Sequence, residues 1–112
     1  MQQRHILADA LLALEQELRQ QGLWAAQQPS DAALASREPF CVDTLPFEGW
    51  LQWVFIPRMT QLVSRGEQLA AGCNIQPMGE EAFARLGRRG AELVVILGQI
   101  DRAAQGLVGS AR

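Results

Sequence analysis

EPFCVDTLPFEGWLQWVFIPRMTQLV, residues 38–63, is the stretch on which the fold turns. It holds two of the three Trp, three of the four Phe and three of the five Pro, so the bulkiest apolar side chains sit in one short run. Wound as a helix, it puts Phe47, Trp50, Leu51, Val54, Phe55, Met59 and Leu62 on a broad face, and Trp53, Ile56 and Val63 extend that face round the cylinder. Gln52, Arg58, Gln61 and Arg65 leave a narrow polar edge. A helix this apolar belongs inside. The expectation is an all-α protein, a compact four-helix bundle, mostly antiparallel, with this largely buried second helix at its centre. Asp43 or Thr44 can cap it, Pro46 suits its first turn, and Glu48 complements the positive end of its dipole. Pro57 falls mid-pattern, where it lacks the N–H that a helix needs and crowds the preceding turn, at a cost of ~3 kcal/mol. That predicts a kinked helix, with a break at Ile56 as the alternative.

The neighbours on either side are also helical. Leu7, Leu11, Leu14 and Leu18 repeat at spacings of four, three and four, with Ile6 and Ala10 widening the stripe, which predicts a first helix over about residues 3–21. Glu15 and Arg19 make an i,i+4 pair on its wet side, and Gly22 is a natural stop. Trp24 is expected to fold back onto the helix end. Residues 25–39 are small, polar and aperiodic, with a turn at Pro29–Asp31 and a weak helix over 31–35. So long a connection should be pinned, with Phe40 and Val42 tucked against the core. Beyond Gly66, residues 67–79 read as a loop, residues 80–86 as a short third helix with Phe83 inward, and residues 91–105 as a fourth with Leu93, Leu97, Ile100 and Ala104 in one stripe. Gly106 and Gly109 should fray the tail. No strand pattern, repeat or second domain appears, so residues 1–112 read as a single domain.

Composition narrows the function. The net charge of −2, from ten basic and twelve acidic residues, argues against broad affinity for nucleic acid. All ten basic residues are Arg, and Tyr is absent, which excludes a Walker lysine, a Schiff-base lysine and a tyrosine acid. Cys41 and Cys73 fit neither a metal spacing nor a CxxC motif and are expected as free thiols. With one histidine, His5, there is no ligand set for a metal and no Ser-His-Asp arrangement. Glu80 and Glu81 are adjacent and diverge on a helix, unlike a glycosidase pair. No apolar run is long enough to cross a bilayer, and Asp9, Glu15 and Glu17 interrupt the N-terminal stretch where a signal peptide would be apolar. The expected location is the cytoplasm.

Three features remain as candidate binding sites, each with a plainer structural explanation. Trp50 and Trp53, three apart, are core residues or an aromatic wall for a groove. Arg58 is a snorkelling side chain, or pairs with Asp43, or clamps a phosphate or carboxylate. Arg85, Arg88 and Arg89 are a solvated helix end or an RNA phosphate contact, though stacking aromatics are missing around them.

At PFCVDTLPFEGWLQWVFIPRM, residues 39–59, the chain resembles the YqcC-like family of small bacterial proteins. The likeness is carried by Pro39, Phe40, Asp43 and Thr44 and by the run Trp50–Met59, with the leucine stripe and a downstream Ala/Leu-rich helix also fitting. Gly49 departs from it, where a longer residue is expected before the Trp. The resemblance implies a helical bundle with no established activity, cofactor or catalytic residue, so it supplies no functional residue to carry over. It also implies genes lying near a tRNA pseudouridine synthase and a flavodoxin. The function expected from all of this is a non-enzymatic accessory or protein-interaction domain, partnered with another protein such as an RNA-modifying enzyme. It needs no cofactor, metal or membrane. The alternatives are RNA binding through the arginine cluster and small-ligand binding in a helical groove.

Overall fold

The computed structural model describes residues 2–69 and 72–108. The order is α1 (Gln2–Gln20), α2 (Asp31–Leu34), a 3-10 turn (Pro39–Cys41), α3 (Phe47–Trp50), a π-helical turn (Leu51–Phe55), α4 (Ile56–Arg65), α5 (Gln76–Ala82), a second 3-10 stretch (Ala84–Gly90) and α6 (Ala91–Gln105). The fold is all-helical. Among the described residues the only β-type contact is a single bridge between Leu69 and Val108.

The core forms where the periodic stripes meet. Leu7, Leu14 and Leu18 of α1 are fully buried, as are Leu93, Leu97, Ile100 and Ala104 of α6, and these two helices share the most extensive contact in the molecule. Ile6 departs from expectation. It lies to the side of the leucine stripe and remains 47% exposed. Gly22 and Gly66 end α1 and α4 with φ of 74° and 69°. In each case the next residue donates its N–H back five positions, Leu23 to Leu18 O at 2.8 Å and Glu67 to Leu62 O at 3.1 Å, which satisfies carbonyls the helix leaves open.

The helix over residues 47–65 runs through Pro57 without a break. The Ile56 N–H reaches back five residues to Leu51 O instead of four, so a π turn precedes the proline. The wider turn makes room where the proline ring would meet the preceding carbonyl. Dihedral angles stay helical at the junction, with φ/ψ of −69°/−55° at Phe55 and −59°/−48° at Ile56. Gly49 is buried in a regular helical turn. Burial along this helix is uneven. From Phe47 to Ile56 every side chain is buried or half-buried, whereas from Pro57 on only Met59 is buried and Arg58, Thr60, Gln61, Ser64 and Arg65 face water. The second half is therefore one-sided, not greasy all round.

Its polar edge is also redistributed. Gln52 is 5% exposed and spans the backbone of Ala25, accepting from its N–H and donating to its carbonyl, both at 2.8 Å. Neither Asp43 nor Thr44 caps the helix, since Pro46 holds the cap position without a side-chain bond. Asp43 accepts from Ser36 Oγ, and Thr44 Oγ1 donates to Ala33 O at 2.7 Å, so both fasten the preceding connection to itself. Phe40 and Cys41 take left-handed φ of 59° and 50°, unusual for residues with a Cβ and costing ~1–3 kcal/mol each. Packing offsets that cost. The Phe40 ring meets Trp50 edge-on at 4.9 Å and Phe47 at 5.9 Å, while Val42 points outward at 58% exposure.

α5 begins at Gln76, earlier than the sequence pattern indicates. Its cap is supplied from another helix: Asp101 of α6 accepts the N–H groups of Ile75 and Gln76, both at 3.0 Å. Gly79 lets α5 approach α6 closely, because a Cβ there would run into Leu97. The tail is pinned at Leu107, 9% exposed, whose carbonyl accepts from Leu69 N–H at 2.9 Å, while Gly109 lies outside the described residues.

Candidate protein-docking site

The structure disperses the residues singled out from sequence. Trp50 is half-buried in an aromatic cluster, 5.8 Å from Phe47 and 5.3 Å from Phe55, with Phe83 joined through Phe47. Trp53 is also half-buried but lies outside that cluster. Arg58 is exposed and makes no ion pair among the described residues, so its pairing with Asp43 does not form. None of the four grooves described for the surface is lined by Trp50, Trp53 or Arg58.

The arginine cluster is mostly engaged. Arg85 meets Glu48 at 2.8 Å and Ala82 O at 2.8 Å. Glu48 sits in the first turn of α3, where the helix dipole favours its charge, and its second carboxylate oxygen is buried with no partner among the described residues. Arg89 locks onto the end of α1, donating to Gln21 Oε1 at 3.0 Å and Gln21 O at 3.2 Å, while Gln21 Nε2 donates to Arg89 O at 2.7 Å. Arg88 alone extends to solvent with no bond among the described residues. Two of the three guanidinium groups thus tie helices together.

Three of these four hollows lie along α1, and the other, about 320 Å³, lies between α5, the second 3-10 stretch and α6, at Glu80, Phe83, Gly87 and Val94. Along α1, one of about 630 Å³ runs between α1 and α6 and is lined by Ile6, Asp9, Ala10, Gln99, Arg102 and Ala103 among others. Another, about 290 Å³, runs between α1 and α4, lined by Ala8, Leu11, Leu12, Glu15, Ile56 and Thr60. The two flank the leucine stripe. Leu12 is 60% exposed, the most exposed large apolar side chain described. It lies about 140° round the helix from the stripe at ~100° per residue, so an apolar residue on the wet face was the available sign of this surface.

Other chemistry is sparse. Both cysteines are free thiols, Cys41 buried and Cys73 half-buried. Burial, with the nearby Asp101 carboxylate, pushes the Cys73 thiol up to about 11, so it is protonated and a poor nucleophile near neutral pH. Among the described residues no three His, Cys, Asp or Glu side chains gather as a metal site, and no helix is long and apolar enough to cross a membrane.

Comparison with known proteins adds relatives. Residues 6–103 match the family model DUF446, described as tRNA pseudouridine synthase C. The chain is 45% identical over 70 residues to an uncharacterized protein of Haemophilus influenzae, covering 62% of this chain and 66% of that one. It is 38% identical over 74 residues to the uncharacterized protein YqcC of Escherichia coli K12, covering 66% and 68%. A 63-residue match at 40% identity, 56% of this chain, spans only 17% of a Pectobacterium carotovorum protein named tRNA pseudouridine synthase C. The solution NMR structure of E. coli YqcC superimposes with a TM-score of 0.83 at 28% identity, covering all of this chain and 96% of that one.

Proposed function

Since the chain belongs to the YqcC-like DUF446 family, we propose that it is a non-enzymatic accessory domain that binds a tRNA pseudouridine synthase in the cytoplasm. One observation carries this reading. In the Pectobacterium relative, a segment like this chain occupies 17% of a longer polypeptide that bears the synthase name. Joining two domains in one chain holds them at high effective concentration. Where they are separate chains, a binding surface does the same work. The scaffold is read as a four-helix, mostly antiparallel bundle, and the two grooves beside α1, with Ile6 and Leu12 exposed at them, provide recessed apolar surface of the kind a protein partner covers. The RNA-binding alternative has less to rest on, because Arg85 and Arg89 are committed within the chain.

The test is a pull-down from native lysate with the tagged protein, split into RNase-treated and untreated halves and read by mass spectrometry. The synthase is expected in both halves. Its loss on RNase treatment would move the function to RNA, and its absence from both would sink the accessory reading.

A further inference from the structure

Resting on that reading, we propose that the synthase docks in the groove between α1 and α6, over Ile6, Ala10 and Ala103, with Asp9 and Arg102 as its charged contacts. The first argument is where the ends of the domain lie. A domain joined to another polypeptide must leave from one of its own ends. Ile6 and Asp9 stand near the start of α1, and Arg102 and Ala103 stand in the last turn of α6, so the start of the first helix and the end of the last both border this groove. At the opposite end, Gln21 and Arg89 tie α1 to the entry of α6. A synthase joined at either end, in the manner of the long relative, therefore starts out beside this groove. Of the two hollows against α4, one lies farther along α1, at Leu11, Leu12 and Glu15, and the other, at Arg4, His5, Ala8 and Val63, borders the start of α1 but not the end of α6.

Charge supplies the second argument. Asp9 and Arg102 are both exposed in the groove, and neither side chain makes an ion pair or hydrogen bond among the described residues. Ile6, 47% exposed, offers an apolar contact in the same groove. The partner surface that fits is an apolar ridge with a basic side chain to meet Asp9 and an acidic one to meet Arg102. Such opposed charges fix orientation and register.

Calorimetric titration of the full chain with separately purified tRNA pseudouridine synthase C from the same organism tests this. The wild-type protein is measured first, then Ile6→Glu, Asp9→Arg and Arg102→Glu, with Arg88→Glu as the control on another surface and Leu12→Glu as the probe of the competing groove against α4. Circular dichroism melting checks the fold of each; should Ile6→Glu not fold, the two exposed charge reversals carry the test. The wild type should bind, the three variants of the α1–α6 groove should weaken binding about tenfold or more and more than Leu12→Glu does, and the Arg88→Glu control should stay within about twofold. Wild-type binding that survives every groove change, or that is lost only in Leu12→Glu, overturns the groove and leaves the accessory reading standing. No binding by the wild type overturns both.

Discussion

The α1–α6 contact and the connection from Ala25 to Leu45 are held in opposite ways. The first is an interface of stripes, in which Leu7, Leu14, Leu18, Leu93, Leu97 and Ile100 are all fully buried. Each side chain there has several neighbours, and stability scales with the apolar area removed from water. The second buries no side chain between Ala25 and Phe40. It is fastened at points: Gln52 at Ala25, Ser36 at Asp43, Thr44 at Ala33, and the Phe40 ring against Trp50. Area can be trimmed gradually, whereas a point fastening is present or lost.

That contrast is tested first where the effect is largest. Leu97→Ala, at a fully buried position against Gly79, should cost about 2–5 kcal/mol in urea denaturation. A loss below about 1 kcal/mol would mean the stripe is not the main source of stability. Next comes the junction between the two regions. Trp50→Ala should cost about 2–3 kcal/mol, less than a fully buried aromatic, while Trp53→Ala, outside the aromatic cluster, should cost about 1 kcal/mol or less. Equal losses would erase the distinction between them. Gln52→Leu keeps the volume but strands the Ala25 N–H and carbonyl, so it should cost about 1–3 kcal/mol. Hydrogen exchange at the Ala25 amide should accelerate far more than exchange in α6, and uniform acceleration would show that the connection does not open separately.

The smallest effect concerns pH. The Cys73 thiol is raised from 9.0 to about 11, chiefly by burial. A thiol held protonated in the folded state contributes stability that is fully present below about pH 9 and is lost as pH rises towards about 11. Labelling by a thiol reagent at pH 8 should be slow and should quicken towards pH 11. Fast labelling of Cys73 at pH 8 in the folded protein would contradict its burial.

The same contrast explains what was legible in the sequence. The stripes of α1 and α6 are legible in the sequence, Ile6 apart, because helical periodicity is written along the chain itself. The point fastenings are not. Gln52 reads as part of a wet edge until Ala25 is brought beside it, and Asp101 reads as a surface acid until it caps α5 from another helix. Such links pair residues 25 or more positions apart, and nothing local announces them. The early start of α5 is hidden for that reason, since its N-terminal cap, Asp101, lies on α6. The exposed apolar positions are hard to foresee for a different reason. Trp50 and Trp53 draw attention by size, yet both are half-buried, whereas Ile6, Leu12, Val42 and Val95 are exposed, and Leu12 betrays itself by standing opposite the stripe.

The π turn ahead of Pro57 has a consequence for how the apolar run is aimed. One inserted residue advances the phase of everything after it by about 100°. α3 packs against α5, while α4 packs against α1, with Ile56, Thr60 and Val63 lying along that helix. The run from Phe47 to Val63 is therefore two segments in series, the first covered all round and the second on one side, whose packing faces address different neighbours from one continuous rod. The number of residues between Phe47 and Met59 sets the angle between those faces. Removing a single residue there would turn one half away from its neighbours and bring the Pro57 ring back against the preceding carbonyl.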